Sequence, residues 1–431
     1  MIDPTVRRIE NLLRSPLLIF GGGGLLTVVG FVVLWLAFPL YRDILSHPFW
    51  FPVIVMAAMV GLIMTSTAIC ILAERKIAGF TQDRYGPNRV GFCGLLQPLA
   101  DGLKFFFKED ITPLHVDRPL FWLAPTLTLA VSLLGFAIIP WAGEVEWPWA
   151  PGVRVSTQVA SLNIGILYVL AVGSVGVYGI VLAGYASNNK YSFFGGMRAA
   201  AQMISYELPL GLALLCLLLT AGTLRLEEIV NQQAHSGIWY VFMHPLPFLL
   251  VLVSSFAEAN RTPFDLAEAE QELVGGFHTE YSSMKFAMFF LGEYVHLVTG
   301  SAVMIALFFG GWAPLPFTSW LADSTAWWAM LIRFGVYLAK IAVFIVFFML
   351  IRWTIPRFRF DQLMRLCWLS LVPVGIGLLA AIAILVALGL HREWWATLGV
   401  NGLALLVMLW YAGRSKAPVT GRQSDLPPLP A

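Results

Sequence analysis

The chain of 431 residues is 58% hydrophobic and only 12% charged, whereas a soluble domain carries about 25% charged residues. This composition excludes a soluble globular protein and indicates that most of the chain lies in lipid. The formal net charge is only +2, and no long basic run is present, which argues against nucleic-acid binding. The four cysteines, at positions 70, 93, 216 and 367, form no CxxC pair and no metal-ligand spacing, so we predict no iron–sulfur, haem or other metal site.

Apolar segments that can cross about 30 Å of hydrocarbon predict an all-α, polytopic transmembrane bundle of about ten helices. The first segment follows Arg14 without a small-residue cleavage pattern, so we expect a retained helix rather than a signal peptide. The last begins with Trp394 and Trp395, which could instead anchor it in the interface. The predicted spans are 17–40, 51–73, 120–141, 160–184, 200–221, 239–257, 284–311, 327–351, 369–390 and 394–411.

The distribution of Lys and Arg predicts the orientation of this bundle. With the N-terminus in the cytoplasm, nearly all of these residues fall in cytoplasmic segments, and the positive-inside rule then places both termini there. The polar loops 74–119, 185–199 and 258–283 would share that face. We expect one bundle over residues 1–413 and a polar, Pro-rich cytoplasmic tail over 414–431.

The first of these loops begins with the charged triplet 74–76 and continues to a Gly86-Pro87-Asn88 turn flanked by Arg84 and Arg89. These arginines could hold the turn by hydrogen bonds to acids or carbonyls. An amphipathic helix in the interface plane is predicted next. Its apolar face carries Leu95, Leu99, Leu103 and Phe106, and its polar face carries Asp101, Lys104 and Lys108. A loop that only sets topology is the alternative, but the combination favours a shaped cationic surface.

The third loop concentrates carboxylates where topology would favour cations. Thr262 to Asp265 predict the start of a short helix, with Thr262 as N-cap and Asp265 completing a capping box. On that helix Asp265, Glu268 and Glu272 would share one face, and Glu270 would point elsewhere. A solvated acidic face is the alternative, although Gly275, Gly276, Phe277 and Tyr281, which follow at once, favour a loop folded back on the bundle. The carboxylates are Glu258, Asp265, Glu268, Glu270, Glu272 and Glu280.

Ionisable residues also lie within the predicted spans. Glu207 is early in the fifth, Glu293 and His296 are one turn apart in the seventh, and Arg333 and Lys340 are in the eighth. Such groups are costly in lipid unless they are paired or face water, so they are functional candidates and could relay protons. For Lys340 the alternative is a structural salt bridge to Glu293 or Glu207.

Several of these segments closely resemble one family, the H subunits of bacterial NADH-quinone oxidoreductase, which is respiratory complex I. The resemblance covers about residues 50–390, and the first and last predicted helices are additions to it. The segments that carry it are Glu74-Arg75-Lys76, 86–91, Leu96 to Gly102, Lys108-Glu109-Asp110, Ile204 to Glu207, Phe256 to Glu272 and His278 to Tyr281.

This resemblance implies a function for the chain. The first and third loops would form the membrane end of a quinone tunnel, and the acids would couple quinone reduction to proton translocation. The chain would carry no catalytic residue and no redox centre of its own, with NADH, FMN and iron–sulfur clusters on partner subunits. Its partners would be hydrophilic subunits on the cytoplasmic face, with small membrane subunits and antiporter-like subunits beside it in the bacterial inner membrane.

The candidate site residues fall into two groups. The quinone-tunnel candidates are Glu74, Arg75, Lys76, Arg84, Arg89, Asp101 and Asp265. The proton-coupling candidates are Glu207, Glu258, Asp265, Glu268, Glu270, Glu272, Glu280, Glu293 and Lys340. A stand-alone ion or solute transporter would explain the buried charges but not the amphipathic helix beside the acidic loop. The anchor subunit of a hydrogenase-like complex that uses no quinone is the third possibility.

Overall fold

Helices make up nearly all regular structure in the computed structural model of the chain, which describes residues 50–146, 154–268, 270–313, 324–390 and 393–414. The predicted span 17–40 and the predicted tail beyond Arg414 lie outside these residues. The described residues confirm an all-α bundle, to which a single two-stranded antiparallel hairpin is added.

The elements follow one another along the chain as a series of long helices with short helices between them. The helices are α1 Trp50–Thr81, α2 Gln97–Phe107, α3 Arg118–Leu134, α4 Gly165–Ala186, α5 Lys190–Ala221, α6 Leu226–Ser236, α7 Tyr240–Met243, α8 Pro245–Glu258, α9 Glu270–Leu273, α10 Ser283–Phe308, α11 Trp327–Thr354, α12 Phe360–Arg365, α13 Val372–Ala387 and α14 Trp394–Arg414. The hairpin pairs β1 Glu144–Glu146 with β2 Arg154–Ser156. A π-helical turn, Leu366–Leu371, joins α12 to α13.

Seven helices within the described residues are long and apolar enough to cross a membrane. The most buried of them is α10, which packs against α1, α3 and α11, and α5 packs against α4, α8 and α13. Shorter apolar helices are found at Pro245–Glu258 and Trp394–Met408. The protein is therefore a helical membrane bundle with α5 and α10 at its centre.

The prediction of a polar loop over 185–199 is wrong for most of that range, because α5 already begins at Lys190. The Asn189 side chain accepts a hydrogen bond from the Tyr191 amide and so caps the helix. Gly195 then allows α5 to pass close to the backbone of Phe277, since an added Cβ would lie 2.7 Å from its nitrogen. Tertiary packing against the third loop thus extends a helix whose first turns are polar.

The helix predicted to start at Thr262 is also wrong. Residues 262–268 form turns, and helix α9 begins only at Glu270. Side chains from other elements satisfy the loop carbonyls that a helix would otherwise bond internally: Gln202 donates to the carbonyl of Phe264 at 2.8 Å, and Arg357 donates to that of Asp265. Asp265, Glu268 and Glu272 therefore do not share a helical face.

The predicted sixth span is divided, with a break at His244 between α7 and α8. Pro245 and Pro247 lack the amide hydrogen that a continuous helix would need there. The Asn401 side chain of α14 donates to the Met243 carbonyl at 3.2 Å. Helix α14 therefore packs onto α7 and α8 through a buried polar contact.

The loops gather at two ends of the bundle. At one end, here called the loop end, segments 82–96, 108–117, 187–189, 259–282 and 355–359 meet through hydrogen bonds such as Asn189 to Glu280 and Phe358 to Pro263. At the other end, the Arg333 guanidinium donates to the carbonyls of Ala142 and Ser324. The three polar loops of the sequence thus come together at one end.

Candidate functional site: an acidic cavity beside a buried ion network

A buried network of charges connects α1, α10 and α11 to the third loop. The Glu74 carboxylate accepts bonds from Arg261 and from the Tyr294 hydroxyl, each at 2.6 Å, and it also pairs with Arg352. Arg261 forms a second ion pair with Glu293, and its guanidinium lies 4.2 Å from the centre of the Tyr294 ring. The network therefore brings two candidate acids from distant parts of the sequence onto one arginine.

Burial makes this network sensitive to any change of charge. The side chains of Glu74 and Arg261 are each only 8% exposed. Breaking a buried pair leaves an uncompensated charge, which costs about 3–5 kcal/mol. A proton or electron that changes the charge beside Arg261 must therefore be compensated by a change of protonation or of ion pairing elsewhere in the network.

A cavity begins beside this network and extends between α3, α4, α5, α8 and α10. Most of its lining is apolar. Four of the predicted coupling acids line it, together with two histidines: Glu207, Glu258, Glu268, Glu293, His278 and His296. The structure therefore brings carboxylates from two spans, the end of α8 and the acidic loop to one internal space.

In the middle of the cavity, the acid at the end of α8 lies beside a histidine of α10 and a glycine of α4. His296 Nε2 lies 3.6 Å from Glu258 Oε1, and Glu293 is one turn before His296 on α10. Gly173 makes room for Glu258, because an added Cβ would lie 2.9 Å from its Oε1. Glu258 and Glu207 also line a smaller adjoining cavity. Glu293, His296, Glu258 and Glu207 therefore lie along connected cavity walls.

At the loop end of the cavity, burial controls the charge of two groups. Burial, with further contributions from the charges of Glu293 and Asp265, raises the pKa of Glu268 to about 8. Burial lowers the pKa of His278 to about 4. His278 Nδ1 lies 3.9 Å from Glu268 Oε1, but at neutral pH both groups are mainly uncharged. This contact is therefore not an ion pair, and Glu268 can give up a proton near physiological pH.

The cationic loop is held by residues at its start. Arg75 pairs with Asp101 at 2.5 Å, and Lys76 donates to the Cys93 carbonyl at 2.6 Å. Gly86 packs directly on α1, since an added Cβ would lie 2.8 Å from the Cα of Lys76. The triplet 74–76 thus points one acid inward and uses two bases to hold the loop.

The idea that Arg84 and Arg89 hold the turn finds no support in these contacts. Within the described residues, the Arg84 side chain donates to the nearby Gln82 side chain at 2.7 Å, and the Arg84 amide donates to the Gly79 carbonyl. Arg89 is exposed and has no hydrogen-bond or ion-pair partner within the described residues. Both arginines face outward from the loop end.

The other candidate acids lie outside the cavity. Glu272 pairs with Arg198 at 2.5 Å and is 57% exposed, and Glu280 accepts a bond from Asn189 at 2.6 Å. Asp265 stays close enough to Glu268 and Glu293 for its charge to act on them. Glu270 lies in α9, and its side chain is outside the described part of the structure.

Lys340 is far from these acids. Its ammonium donates to the carbonyls of Phe309, Gly311 and Ala313 at 2.6–3.0 Å, beyond the end of α10. A helical rise of about 1.5 Å per residue puts it about 18 Å along α11 from Arg352. The contacts found in the described residues are thus with carbonyls and not with Glu293 or Glu207, as a salt bridge would require.

Sequence reasoning gave no role to three members of the ion network. Arg261 stands in the acidic loop, Arg352 looks like a topology cation at the end of a span, and Tyr294 looks like an ordinary core aromatic. Their only signal is position: Arg261 is a lone base among acids, and Tyr294 follows Glu293. Which acid each would pair with depends on the packing of α1, α10 and α11.

The predicted amphipathic helix is present as α2. None of its residues is buried, and its apolar face is open, with Leu99 63% and Phe106 68% exposed. It is tied to the start of α10 by the Ser283 hydroxyl, which donates to the carbonyls of Phe105 and Lys108. The chain therefore presents an apolar surface at the loop end beside its cationic loop.

Fold and site together define a polytopic helical membrane protein with an acidic internal cavity that reaches a set of charged loops. In the described residues, no cluster of three or more His, Cys, Asp or Glu side chains is arranged to hold a metal. The cysteines are free.

Comparison with known proteins identifies the family. The sequence profile of the NADH dehydrogenase family matches residues 54–383. An H subunit of NADH-quinone oxidoreductase from Cytophaga hutchinsonii is 48% identical over 305 residues, which are 70% of this chain and 87% of the relative. The H subunit from Flavobacterium johnsoniae is 48% identical over 325 residues (75% and 90%), and an H subunit from Geobacter sulfurreducens is 47% identical over 338 residues (76% and 92%).

The chain belongs to this family, the H subunits of NADH-quinone oxidoreductase, whose members are membrane subunits of complex I. The resemblance seen in the sequence is thereby confirmed. The matched range leaves out the predicted first span and helix α14.

Proposed function

We propose that this chain forms the membrane end of the quinone access path in complex I and couples quinone reduction to proton translocation. The observation that carries the proposal is that four carboxylates line the same cavity: Glu207, Glu258, Glu268 and Glu293. Ionisable groups are kept in a membrane interior at a cost in stability, so four carboxylates in one cavity are best explained by proton transfer.

The charged network at the loop end supports the coupling half of this proposal. A quinone reduced nearby takes up negative charge and then protons. Arg261 contacts both Glu74 and Glu293, so a new charge beside it changes which acid it stabilises. A proton then moves between Glu293, Glu268 and the acids farther along the cavity.

The quinone half rests on the loop end and on the names of the relatives. Those relatives are named as subunits of a quinone oxidoreductase. The acidic loop lines part of the cavity, and the cationic loop and the open face of α2 lie at the same end of the bundle. An apolar substrate with a polar headgroup could enter from lipid there. Arg75, Asp101 and Asp265 belong to this entrance.

The electron carriers belong to other subunits in this proposal. The chain lacks a dinucleotide-binding fingerprint after a strand and lacks clustered cysteines, so it supplies a cavity and titratable groups. NADH, FMN and iron–sulfur clusters are then held by hydrophilic subunits at the loop end, on the cytoplasmic face of the bacterial inner membrane. Antiporter-like subunits lie beside the bundle.

The test is Glu207→Gln in the whole complex, reconstituted in vesicles. The substitution removes a titratable group from the end of the acid series but keeps the size of the side chain. Quinone-driven pumping should fall about tenfold or more, because a positioned proton-transfer group contributes at least that factor. Assembly, measured by native gel, should be unchanged.

The matched control is Glu228→Gln, at an exposed carboxylate near the opposite end of the bundle that bonds to Thr223. This variant should pump as the wild type does. Normal pumping by an assembled Glu207→Gln complex would contradict the proposal.

A further inference from the structure

Helix α5 contains a backbone carbonyl that its own helix cannot satisfy. Pro209 lies within α5 and has no amide hydrogen, so the Ser205 carbonyl, one helical turn earlier, has no helical donor. The thiol of Cys367 donates to this carbonyl, with Sγ 3.0 Å from the oxygen. Both residues are buried, and Cys367 is fully enclosed. A cysteine on a distant segment thus supplies the bond that proline removed.

A second bond runs in the opposite direction between the same two segments. The hydroxyl of Tyr206, which is next to Ser205, donates to the Leu363 carbonyl at 3.0 Å. Leu363 is in α12, one turn before Cys367, which itself lies in the π-helical turn 366–371. Such π turns change the register of backbone bonding and occur often at functional sites. We call Ser205, Tyr206, Leu363 and Cys367 the clasp.

The clasp lies between the acidic loop and the cavity. The Tyr206 ring packs on Phe264 of the acidic loop, with ring centres 5.6 Å apart, and Phe264 stacks on Phe358. On its other side, Tyr206 lines the small cavity that Glu207 and Glu258 share. Glu207, the next residue in α5, contacts the Ser174 hydroxyl of α4. A displacement of Phe264 can therefore be passed to the turn that carries Glu207 through the side chain of Tyr206.

We propose that Tyr206 and Cys367 are positioning residues for Glu207, and that the clasp transmits movement of the acidic loop at Phe264 to that carboxylate. This inference rests on the proposed role of Glu207 in proton transfer. With both bonds made, the Ser205–Glu207 turn is fixed and the Glu207 side chain stays at Ser174 and Glu258. When the Tyr206 bond is lost, α5 is free to rotate at the turn that Pro209 already weakens.

The first experiment compares Tyr206→Phe with Tyr337→Phe in the reconstituted complex. Each change removes one hydroxyl that donates to a helix carbonyl and leaves the ring in place; Tyr337 bonds to the Ala302 carbonyl at 2.8 Å and is fully buried. Tyr206→Phe should lower the maximal pumping rate about fivefold, the effect of one such bond on a conformational equilibrium. The KM for quinone should not change, because Tyr206→Phe keeps the ring that packs on Phe264 and alters no residue assigned to the entrance.

Tyr337→Phe should leave both quantities at their wild-type values. Equal effects of the two variants, or a raised KM with a normal maximal rate in Tyr206→Phe, would overturn the inference.

The second experiment changes the other bond and decides the matter if Tyr206→Phe does not assemble. Cys367→Ala removes the donor to Ser205, whereas Cys367→Ser keeps a donor of similar size. We expect Cys367→Ala to lower the maximal pumping rate and Cys367→Ser to restore it. The control is Cys216→Ala, which changes a second fully buried cysteine, this one in α5, and it should pump normally. Loss of pumping in both Cys367 variants, or in neither, would count against the clasp.

Glu207→Gln, measured in the same preparation, separates the two proposals. If Glu207→Gln pumps normally, the proposed function fails and the clasp has nothing to position. If Glu207→Gln loses pumping while Tyr206→Phe and Cys367→Ala do not, only the positioning role is wrong.

Discussion

At the scale of single residues, the cavity shows how burial changes the chemistry of ordinary carboxylates. Glu268 is an acid in a polar loop by sequence, yet only 35% of its side chain is exposed, and it lines a mostly apolar cavity. Burial, and then the nearby charges of Glu293 and Asp265, disfavour its ionised form and raise its pKa to about 8. Below that pH Glu268 holds a proton, and above it the proton is lost.

This protonation predicts a pH dependence of pumping. If Glu268 passes protons to the cavity, wild-type pumping should fall as the pH rises through about 8, because the donor becomes ionised. Glu268→Gln should pump more slowly at neutral pH and should lack that decline. The measurement is the initial rate of vesicle acidification across the pH range, with Glu228→Gln as the control that keeps the wild-type profile. An unchanged decline in Glu268→Gln would assign it to another group.

At the scale of elements, proline breaks in this bundle are repaired by side chains from neighbouring helices. Pro247 leaves the Met243 carbonyl without a helical donor, and Asn401 of α14 supplies one at 3.2 Å. Asn401 is almost fully buried, as is Met243. Helix α14, which lies beyond the range shared with the family profile, is thereby attached to the core at a defined position.

Asn401→Leu should therefore destabilise the protein by about 1–3 kcal/mol, since it leaves a buried carbonyl without a partner. The measurement is the shift in the midpoint of thermal unfolding in detergent. Pro247→Ala provides the internal control, because its new amide hydrogen can bond the Met243 carbonyl. In the Pro247→Ala background the same Asn401→Leu change should cost less. Equal costs in both backgrounds would show that the contact of α14 does not depend on this carbonyl.

At the scale of the whole molecule, the loop end exposes large apolar side chains next to charged ones. Apolar side chains lie open there, among them Phe107 at 80% and Leu114 at 92% exposure. The outward arginines Arg84 and Arg89 stand beside them. Under the proposed function, hydrophilic partner subunits cover one end of the bundle, and we expect the loop end to be the covered one.

Arg89 tests that expectation, because within the described residues its charge serves no contact of its own chain. Arg89→Ala should raise the apparent KM for quinone by roughly tenfold, the equivalent of the about 1.5 kcal/mol that a bond to a charged group contributes. Arg225→Ala at the other end, where the arginine pairs with Glu228 at 3.6 Å, should not change it. Quinone reductase activity of the whole complex is the measurement. Equal effects would mean that the cationic loop only sets topology.

Sequence alone determined the class of the protein and most of its helices. Hydrophobic runs such as those in α4 and α11 are long enough that lipid, not tertiary contact, dictates a helix. The acids also stood out, since a carboxylate within a span is costly wherever it faces. Glu207 and Glu293 are candidates for that reason, whereas Glu258 and Glu268 are candidates because they belong to the run of carboxylates in the third loop.

Tertiary structure decided the partners and the local conformations. Residues 262–268 read as a helix start, but Gln202 and Arg357 satisfy their carbonyls from outside and hold them as turns. Lys340 is a candidate relay residue by its place in a span, and packing gives its ammonium the carbonyls beyond α10 as hydrogen-bond partners. Arg261 joins Glu74 to Glu293 only because α1 and α10 pack together. A side chain's cost in lipid follows from its own chemistry, whereas its partner depends on which helices become neighbours.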